Sequence, residues 1–334
     1  MSARTPGPLL VRLPNWLGDL VLAWPVVEAA AARGAAFVGP PPFETLLGPR
    51  FPNSIYLSTS RGRRYALVAP IRSLHPSVAL LLTDSFSSTL LVALARVPSR
   101  IGYGAEGRSF LLTRTVRRTG PARSAARTAE YRVLGEAAGL SGMREEPSVR
   151  PEPREVERGA AALARFGFAN GAYAVLAPGA SYGPAKQWGA ERFAAVGARA
   201  ARSHRLSLVV VGSGEDRPVA AAVARAAVRD GAQVFDTTGA TDLVELTGIL
   251  AGARAVVSND SGVMHLAAAL GRPTVSVFGS TSPVWTSATA PWVANLYAAY
   301  PCSPCFRRTC PIGYRCLEAI GTDEATAALD RLLA

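Results

Sequence analysis

Short apolar runs alternate with alanine-rich stretches along almost all of the 334 residues. This alternation is typical of βαβ units, in which helices separate the buried strands of a parallel sheet. It occurs in two sets, which begin with predicted strands at Leu9–Val11 and Tyr173–Leu176. Further predicted strands cover residues 66–68, 78–82, 206–211, 255–257 and 274–278. The pattern predicts an α/β protein with two Rossmann-like, doubly wound parallel-sheet domains.

A charged, proline-rich segment, residues 145–153, separates the two sets. Its prolines exclude a helix interior and a central strand. We therefore predict an N-terminal domain over residues 1–153 and a C-terminal domain over residues 154–334, with the last helix able to pack back on the first domain. Ligands of such domains bind at the carboxyl ends of the strands, so we expect the two domains to face each other across a central cleft.

The composition is that of a soluble globular protein, with 49% hydrophobic and 18% charged residues. The apolar runs are too short to span a bilayer. Asp19, Pro25 and Glu28 interrupt the apolar run near the N-terminus, which argues against a secretory signal. We expect a cytoplasmic protein.

The net charge of +12 is concentrated in the first half of the chain. Residues 1–165 hold 22 arginines against 12 acidic residues, whereas residues 166–334 hold 14 basic against 12 acidic residues. This excess indicates an anionic partner, which is nucleic acid, anionic lipid or a phosphorylated substrate. The alternative is a solvated basic surface without a partner.

Lys186 is the only lysine among 36 basic residues, and it lies in a loop of small and turn-forming residues after a predicted strand. A lysine kept where all other cations are arginine indicates a need for a compact ammonium rather than a planar guanidinium, with chance as the alternative. The loop lacks the Gly-Lys-Ser/Thr of a P-loop. A flexible backbone with one lysine nevertheless suits a phosphate.

Candidate catalytic or binding residues follow two further predicted strands. Asp19 follows the first predicted strand, where its carboxylate is either a general base or a helix N-cap. After residues 255–257 comes a polar turn, with a helix predicted from about Gly262, whose unpaired N–H groups suit a diphosphate. Ser261 adds a hydroxyl there. His265 is one turn further on and is either a ligand contact or a core histidine.

All four cysteines lie close together near the C-terminus, in the pattern C-x2-C-x4-C-x5-C. Such a group suits a structural zinc ion or an iron–sulfur cluster. Because a reducing cytosol disfavours disulfides, thiols without metal are the alternative. The candidate ligands are Cys302, Cys305, Cys310 and Cys316.

Four segments together resemble the ADP-heptose:lipopolysaccharide heptosyltransferases: Pro14–Asp19, Ala177–Trp188, Asn259–Ala269 and Cys302–Arg308. The Gly-Pro-Ala-Lys loop and the Cys-Ser-Pro-Cys-Phe segment look most like the heptosyltransferase II branch. The similarity extends from about residue 9 to residue 316. It implies a GT-B fold and an inverting, metal-independent transfer of L-glycero-D-manno-heptose from ADP-heptose to the inner-core heptose of lipopolysaccharide, with no required cofactor.

The resemblance also implies roles for individual residues. Asp19 corresponds to the general base, and Lys186 to the cation that stabilises the leaving diphosphate. Ser181 corresponds to a phosphate ligand and Glu215 to a ribose or adenosine contact. The adenine pocket corresponds to Thr241 and Leu243. The stretch that binds diphosphate and heptose corresponds to Asp260, Ser261, Gly262 and His265.

The implied acceptor is a phosphorylated lipid A bearing Kdo and heptose, at the inner face of the cytoplasmic membrane, so we expect peripheral membrane association. Asn15 and Trp16, in the first matching segment, are candidate contacts to this acceptor. Other acceptor contacts are assigned from charge alone. They are Arg61, Arg63, Arg64 and Arg100, with Arg12, Arg307 and Arg308 as further candidates.

Two other classes of protein fit less well. A zinc-containing nucleic-acid-binding protein is disfavoured because aromatic residues make up only 7% of the chain and are not interleaved with the arginines. A nucleotide-dependent oxidoreductase is disfavoured because the Gly-x-Gly-x-x-Gly at Gly102–Gly107 follows Pro98-Ser-Arg rather than a predicted strand. Within the family, another sugar nucleotide or another acceptor is the nearer alternative.

Overall fold

The computed structural model describes residues 7–59, 62–118, 120 and 123–334. The chain forms two compact units, Met1–Pro147 and Ser148–Ala334. Their boundary lies inside the proline-rich segment, a few residues before the boundary predicted from sequence. None of the helices in the described ranges has both the length and the apolar character needed to cross a membrane.

The first unit is built on one parallel sheet with strand order β3-β2-β1-β4-β5-β6. Its strands are β1 (Leu10–Arg12), β2 (Ala36–Gly39), β3 (Ile55–Ser58), β4 (Val78–Leu81), β5 (Ser99–Tyr103) and β6 (Arg114–Val116). Its helices are α1 (Leu17–Leu22), α2 (Trp24–Ala31), α3 (Pro41–Arg50), α4 (Val68–Ser73), α5 (Phe86–Leu94) and α6 (Arg127–Ala137). Short 3₁₀ turns cover Arg64–Leu67 and Ser109–Leu111.

The second unit has a parallel sheet with strand order β12-β11-β10-β7-β8-β9. Its strands are β7 (Tyr173–Ala177), β8 (Ser207–Val210), β9 (Val234–Asp236), β10 (Ala255–Asn259), β11 (Thr274–Phe278) and β12 (Val293–Tyr297). Its helices are α7 (Pro153–Arg165), α8 (Ala190–His204), α9 (Arg217–Arg229), α10 (Leu243–Gly252), α11 (Gly262–Ala269), α12 (Pro283–Thr286), α13 (Arg315–Glu318) and α14 (Thr322–Leu333). Here the 3₁₀ turns are Pro184–Lys186 and Gly214–Asp216.

Both sheets have the same topology. Counted from the first strand of each unit, the order is 3-2-1-4-5-6, which is that of a Rossmann sheet. Each sheet therefore has a topological switch point between its two central strands, β1 and β4 in one and β7 and β10 in the other. Every residue of β7 and β10 is buried, as expected for parallel strands with helices on both faces. The predicted doubly wound α/β class is confirmed.

Some predicted elements were wrong. Residues 66–68, predicted as a strand, lie in the helical stretch formed by the turn Arg64–Leu67 and α4, because a three-residue apolar run fits either structure. Strand β5 was not predicted, and it contains Gly102. The Gly102–Gly107 motif therefore begins inside a strand, contrary to the prediction. It is followed by the 3₁₀ turn Ser109–Leu111 and β6 rather than an α-helix, so it still lacks the strand–turn–helix context of a dinucleotide site.

The last helix, α14, packs against α8, β11 and β12 of the second unit. Its residues Ala325, Ala328 and Leu329 are almost fully buried in the core of that unit. The apolar face of α14 is therefore buried within the second unit itself. Its burial does not require the predicted packing on the first domain.

Helices α7 and α10 of the second unit pack with their backbones in contact. Helix α7 begins at a proline and is stabilised by a capping box between Glu152 and Glu155. A Cβ atom at Gly248 would lie 1.8 Å from the Glu155 carbonyl oxygen, and one at Gly159 would lie 2.4 Å from the carbonyl carbon of Gly248. Only glycine permits this approach.

Replacing Gly248 with alanine should therefore destabilise the second unit by about 2 kcal/mol, because the two helices must move apart. Chemical denaturation measures this change. Gly214→Ala is the matched control, since a Cβ atom there would meet nothing within 4 Å. Equal stabilities of the two variants would contradict the packing argument.

Candidate functional site

At the switch point of the second sheet, Lys186 and Asp260 form a buried ion pair. Lys186 ends the 3₁₀ turn that follows β7, and Asp260 directly follows β10. The Lys186 Nζ atom lies 2.6 Å from Asp260 Oδ2, and the Thr281 hydroxyl donates to the same oxygen at 2.5 Å. Asp260 is only 3% exposed. The pair thus places one ammonium group at the carboxyl ends of two neighbouring strands.

The charge of this carboxylate is stabilised by its neighbours. Burial by itself would raise the pKa of Asp260, but His265 and Lys186 outweigh this effect and hold the pKa well below its usual range. His265 Nε2 lies 3.7 Å from Asp260 Oδ1. Asp260 is therefore ionised at neutral pH and holds the ammonium of Lys186 in place.

The Lys186 loop is tied to β10 by Asn259. The Asn259 side chain donates to the Pro178 carbonyl oxygen at 2.7 Å and accepts from the Trp188 backbone N–H at 3.1 Å, so it holds both ends of the loop. Trp188 is buried, and its indole N–H donates to the Ile320 carbonyl oxygen at 3.0 Å. The ammonium also lies 5.0 Å from the centre of the Tyr182 ring. These contacts fix the position of Lys186 within the second unit.

Helix α11 begins beside the ion pair. Its N-cap residue, Ser261, makes no side-chain bond to the first-turn amides, and its hydroxyl instead lies 3.0 Å from that of Ser258. His265 Nδ1 and the Ser280 hydroxyl are buried and have no hydrogen-bond partner within the described residues. Such atoms are rare in proteins. The helix N-terminus, the ammonium and these two polar groups together make a site suited to an anion.

The other residues assigned to the nucleotide sugar lie along the same edge of the sheet. Ser181 is exposed after β7, and Glu215 is exposed in the 3₁₀ turn after β8. Thr241 and Leu243 lie between β9 and the first turn of α10, half-buried. Together with the residues after β10, these positions lie at the ends of four adjacent strands, which span about 14 Å across the sheet. This length suits a nucleoside diphosphate.

In the first unit, Asp19 lies at the corresponding place after β1. It is the third residue of α1, whose N-cap is Trp16, so Asp19 is not the N-cap. Its Oδ1 atom accepts a hydrogen bond from the Tyr131 hydroxyl at 3.0 Å and lies 3.6 Å from Arg127 Nε. The Asp19 side chain is 31% exposed. A partly accessible carboxylate at a switch point can accept a proton from a bound hydroxyl group.

Around Asp19 lies a network of charges that was not predicted from sequence. Arg118 bridges Asp84 Oδ2 at 2.7 Å and Glu130 Oε1 at 3.2 Å. Arg127 pairs with Glu130 at 2.8 Å. The sequence pointed to this network only through Asp84, which follows a predicted strand. Thr281, in the polar turn after β11, also follows a predicted strand and was also missed.

The predicted acceptor arginines do not all lie together. Arg12 is almost fully buried, donates to Asn15 Oδ1 at 2.6 Å and also donates to the Leu13 carbonyl oxygen. Burial and the charge of Arg64 lower the pKa of Arg12 to about 10. Arg64 donates to the Ser87 hydroxyl. Within the described part of the chain neither guanidinium forms an ion pair, so this cationic pair suits an anionic ligand.

The other candidates near this pair are Arg63, Asn15 and Trp16, all exposed. Arg61 lies outside the described residues. Arg100 requires a correction, because it pairs with Ala79 near the amino end of the sheet, the edge opposite to Asp19. Its guanidinium donates to the Val97 and Leu111 carbonyl oxygens, both at 2.6 Å, which is a structural role within the unit.

The four cysteines do not form the predicted metal site. Cys302 is exposed, whereas Cys316 on α13 is buried in the core of the second unit, and all four are unpaired thiols. No three His, Cys, Asp or Glu side chains in the described ranges are placed to hold a metal ion. Backbone N–H groups near Ile312 and Tyr314 lower the pKa of Cys310. Arg307 and Arg308 on this segment are exposed.

Two Rossmann-type units with polar groups at their switch points are the architecture of GT-B glycosyltransferases. Escherichia coli ADP-heptose lps heptosyltransferase II has this fold and superposes with a TM-score of 0.80, at 24% identity over 98% of both chains. Residues 64–315 match the family model of glycosyltransferase family 9 (heptosyltransferase). The chain belongs to this family and is an enzyme, which confirms the family and the fold inferred from its motifs.

Two further heptosyltransferases are similar to this chain over most of their length. Lipooligosaccharide heptosyltransferase 2 of Haemophilus influenzae is 28% identical over 291 residues, which are 83% of this chain and 75% of that protein. E. coli heptosyltransferase WaaC, solved with ADP-2-deoxy-2-fluoro heptose, has a TM-score of 0.67 at 16% identity and covers 97% of this chain and 99% of its own.

Lys186→Met should destabilise the protein by about 3 kcal/mol at pH 7, because it leaves the buried Asp260 carboxylate without its cation. The depressed pKa of Asp260 in the wild type gives stability that is present above about pH 4 and is lost as the pH falls below it. The difference between variant and wild type should therefore shrink in acid. Denaturant unfolding at several pH values measures it.

The double variant Lys186→Met/Asp260→Asn is the control for this prediction. It removes both charges and should recover part of the stability lost at pH 7. A single variant as stable as the wild type at every pH would contradict the ion-pair argument.

Proposed function

We propose that the enzyme is an inverting, metal-independent transferase that moves L-glycero-D-manno-heptose from ADP-heptose to the inner-core heptose of lipopolysaccharide. The observation that carries this proposal is the buried Lys186–Asp260 pair at the N-terminus of α11, because it supplies a fixed cation where a sugar diphosphate would bind.

The donor end of the reaction follows from the second unit. The diphosphate binds between the ammonium of Lys186 and the first-turn amides of α11, and the adenosine extends along the ends of β8 and β9. As the bond between the anomeric carbon and the phosphate oxygen breaks, negative charge accumulates on ADP, and these groups stabilise it. Because Asp260 is already engaged by Lys186 and Thr281, the leaving group is neutralised by the ammonium instead of a metal ion held by carboxylates.

The acceptor end follows from the first unit. Asp19 takes the proton of the acceptor hydroxyl while the hydroxyl oxygen forms its bond to the anomeric carbon. A single displacement of this kind inverts the anomeric configuration, and it requires one base and a stabilised leaving group. Asn15 and Trp16 contribute contacts to the acceptor beside this base.

The basic groups of the first unit suit a phosphorylated acceptor. Arg12 and Arg64 form the cationic pair, Arg63 is exposed nearby, and Arg307 and Arg308 add positive charge on the second unit. We propose that these groups bind the phosphates and carboxylates of a lipid A–Kdo–heptose acceptor. The enzyme then acts in the cytoplasm, associated peripherally with the inner face of the membrane, where such a lipid is available.

Product analysis with ADP-heptose and a defined heptosyl-Kdo2-lipid A acceptor tests donor, acceptor and linkage together. A new heptose attached with inverted configuration in the presence of a chelator supports the proposal. Faster transfer from another sugar nucleotide would overturn the proposed donor. Strict dependence on added metal would overturn the proposed metal independence.

Asp19→Asn should lower kcat about 10³-fold, because the amide cannot accept the acceptor proton. The affinity for ADP, measured by calorimetry, should stay at the wild-type value, since Asp19 belongs to the acceptor end. Normal turnover by this variant would remove Asp19 as the base. Loss of ADP binding in Lys186→Met serves as the positive control for the calorimetry.

Arg64→Gln should raise the KM for the phosphorylated acceptor by roughly tenfold, which corresponds to the loss of one charge-assisted hydrogen bond. The KM for ADP-heptose should not change. The control is Arg96→Gln, an exposed arginine before the amino end of β5. Steady-state kinetics with both substrates varied measures these constants. If the two substitutions changed the KM for the acceptor equally, Arg64 would not belong to an acceptor site.

A further inference from the structure

The two oxygens of the Asp19 carboxylate differ in their surroundings. Oδ1 accepts the hydrogen bond from Tyr131 at 3.0 Å and lies 3.6 Å from Arg127 Nε. In the part of the chain that the structure describes, no hydrogen bond reaches Oδ2, and the side chain is 31% exposed. The carboxylate is therefore held on one side and left open on the other.

Tyr131 is rigidly placed. It lies on α6, which packs against α1 and α2, and its side chain is 1% exposed. One turn further along α6, a Cβ atom at Gly135 would lie 2.7 Å from the Met143 sulfur and 3.3 Å from a methyl carbon of Val26, so the missing side chain permits close packing of α6 against both. A buried phenol has no water to bond with, and its hydrogen bond to Asp19 is therefore costly to lose.

Arg127 is fixed by other contacts. Its guanidinium lies 4.6 Å from the centre of the Tyr131 ring, 2.8 Å from Glu130 Oε2 and 3.9 Å from Asp84 Oδ2. Beyond its contacts with Tyr131 and Arg127, Asp19 belongs to a network in which three arginines offset three acids, Asp19 included. The other charged and titratable side chains of this network come from α6, the ends of β4, β5 and β6 and the β5–β6 connection. They are Asp84, Glu130, Tyr103, Tyr131, Arg108, Arg118 and Arg127.

We infer that Tyr131 and Arg127 are positioning residues for Asp19, holding Oδ1 so that Oδ2 receives the proton of the acceptor hydroxyl. This inference rests on the proposed role of Asp19 as the base. Burial and the charge of Asp19 raise the pKa of Tyr131 well above its ordinary value. Tyr131 therefore keeps its own proton throughout, and the acceptor proton passes to Asp19 alone.

The positioning has a consequence for pH dependence. A hydrogen bond donated to a carboxylate favours its ionised form, which is the form that accepts a proton. Loss of the Tyr131 hydroxyl should therefore move the acid limb of kcat/KM to higher pH as well as lower kcat.

Tyr131→Phe tests this inference, with Tyr103→Phe as a matched control. Tyr103 is 3% exposed, donates to the Glu130 carbonyl oxygen at 2.7 Å and lies under the Arg118 guanidinium, but does not touch Asp19. Both variants lose one buried hydroxyl and should lose similar stability. Tyr131→Phe should lower kcat roughly tenfold, which is less than the loss expected when the base itself is removed. It should also move the acid limb of the kcat/KM profile to higher pH. Tyr103→Phe should do neither.

A second measurement does not depend on turnover. In protein labelled with ¹³C-aspartate, the Asp19 carboxyl signal is identified by its loss in Asp19→Asn and is then titrated in the wild type and both tyrosine variants. A higher titration midpoint in Tyr131→Phe alone supports the inference. Identical midpoints and pH profiles in the two variants overturn it. Normal turnover by Asp19→Asn would instead remove the base assignment, while the titration still decides whether Tyr131 controls this carboxylate.

Discussion

The reversal of strand order at the centre of each parallel sheet is the constraint on which the candidate sites depend. At β1 and β4, and again at β7 and β10, consecutive connections leave in opposite directions and leave the carboxyl ends of the two strands uncovered. Asp19 stands at the first of these places, and Lys186 and Asp260 stand at the second. The topology of the sheets thus determines where the candidate sites lie, and the loop residues supply their polar groups.

The two units stabilise their buried charges in different ways. In the second unit the Asp260 carboxylate is almost fully enclosed, and its desolvation is offset by one ammonium, one hydroxyl and His265. In the first unit acids and arginines alternate across several elements, and Asp19 stands at the partly exposed end of this network. The first arrangement fixes a cation, whereas the second leaves a carboxylate oxygen accessible. These are the different properties that the proposed cation for the leaving group and the proposed base require.

Sequence reasoning was effective where chemistry and local structure coincide. The Lys186 loop and the polar turn before α11 each follow an apolar strand, so the pattern placed both segments at a sheet edge, and the family resemblance singled out Asp260 within the turn. It did not find Tyr131, because the partner of its hydroxyl group lies 112 residues away in the chain and helix packing brings the two together. It also misplaced Arg100, since charge alone does not reveal which end of a strand an arginine occupies. The fold was predictable from periodicity, whereas contacts between distant elements were not.

The bond between Asp260 and Lys186 has a consequence for the end of the catalytic cycle. In the proposed reaction the product ADP must leave the ammonium that helped it form. Because a carboxylate within 2.6 Å already neutralises much of that charge, the ammonium attracts the departing diphosphate less strongly than an unpaired lysine would. In that reaction Asp260 competes with the diphosphate for the ammonium of Lys186, so the same contact that positions the lysine also weakens its attraction for the product.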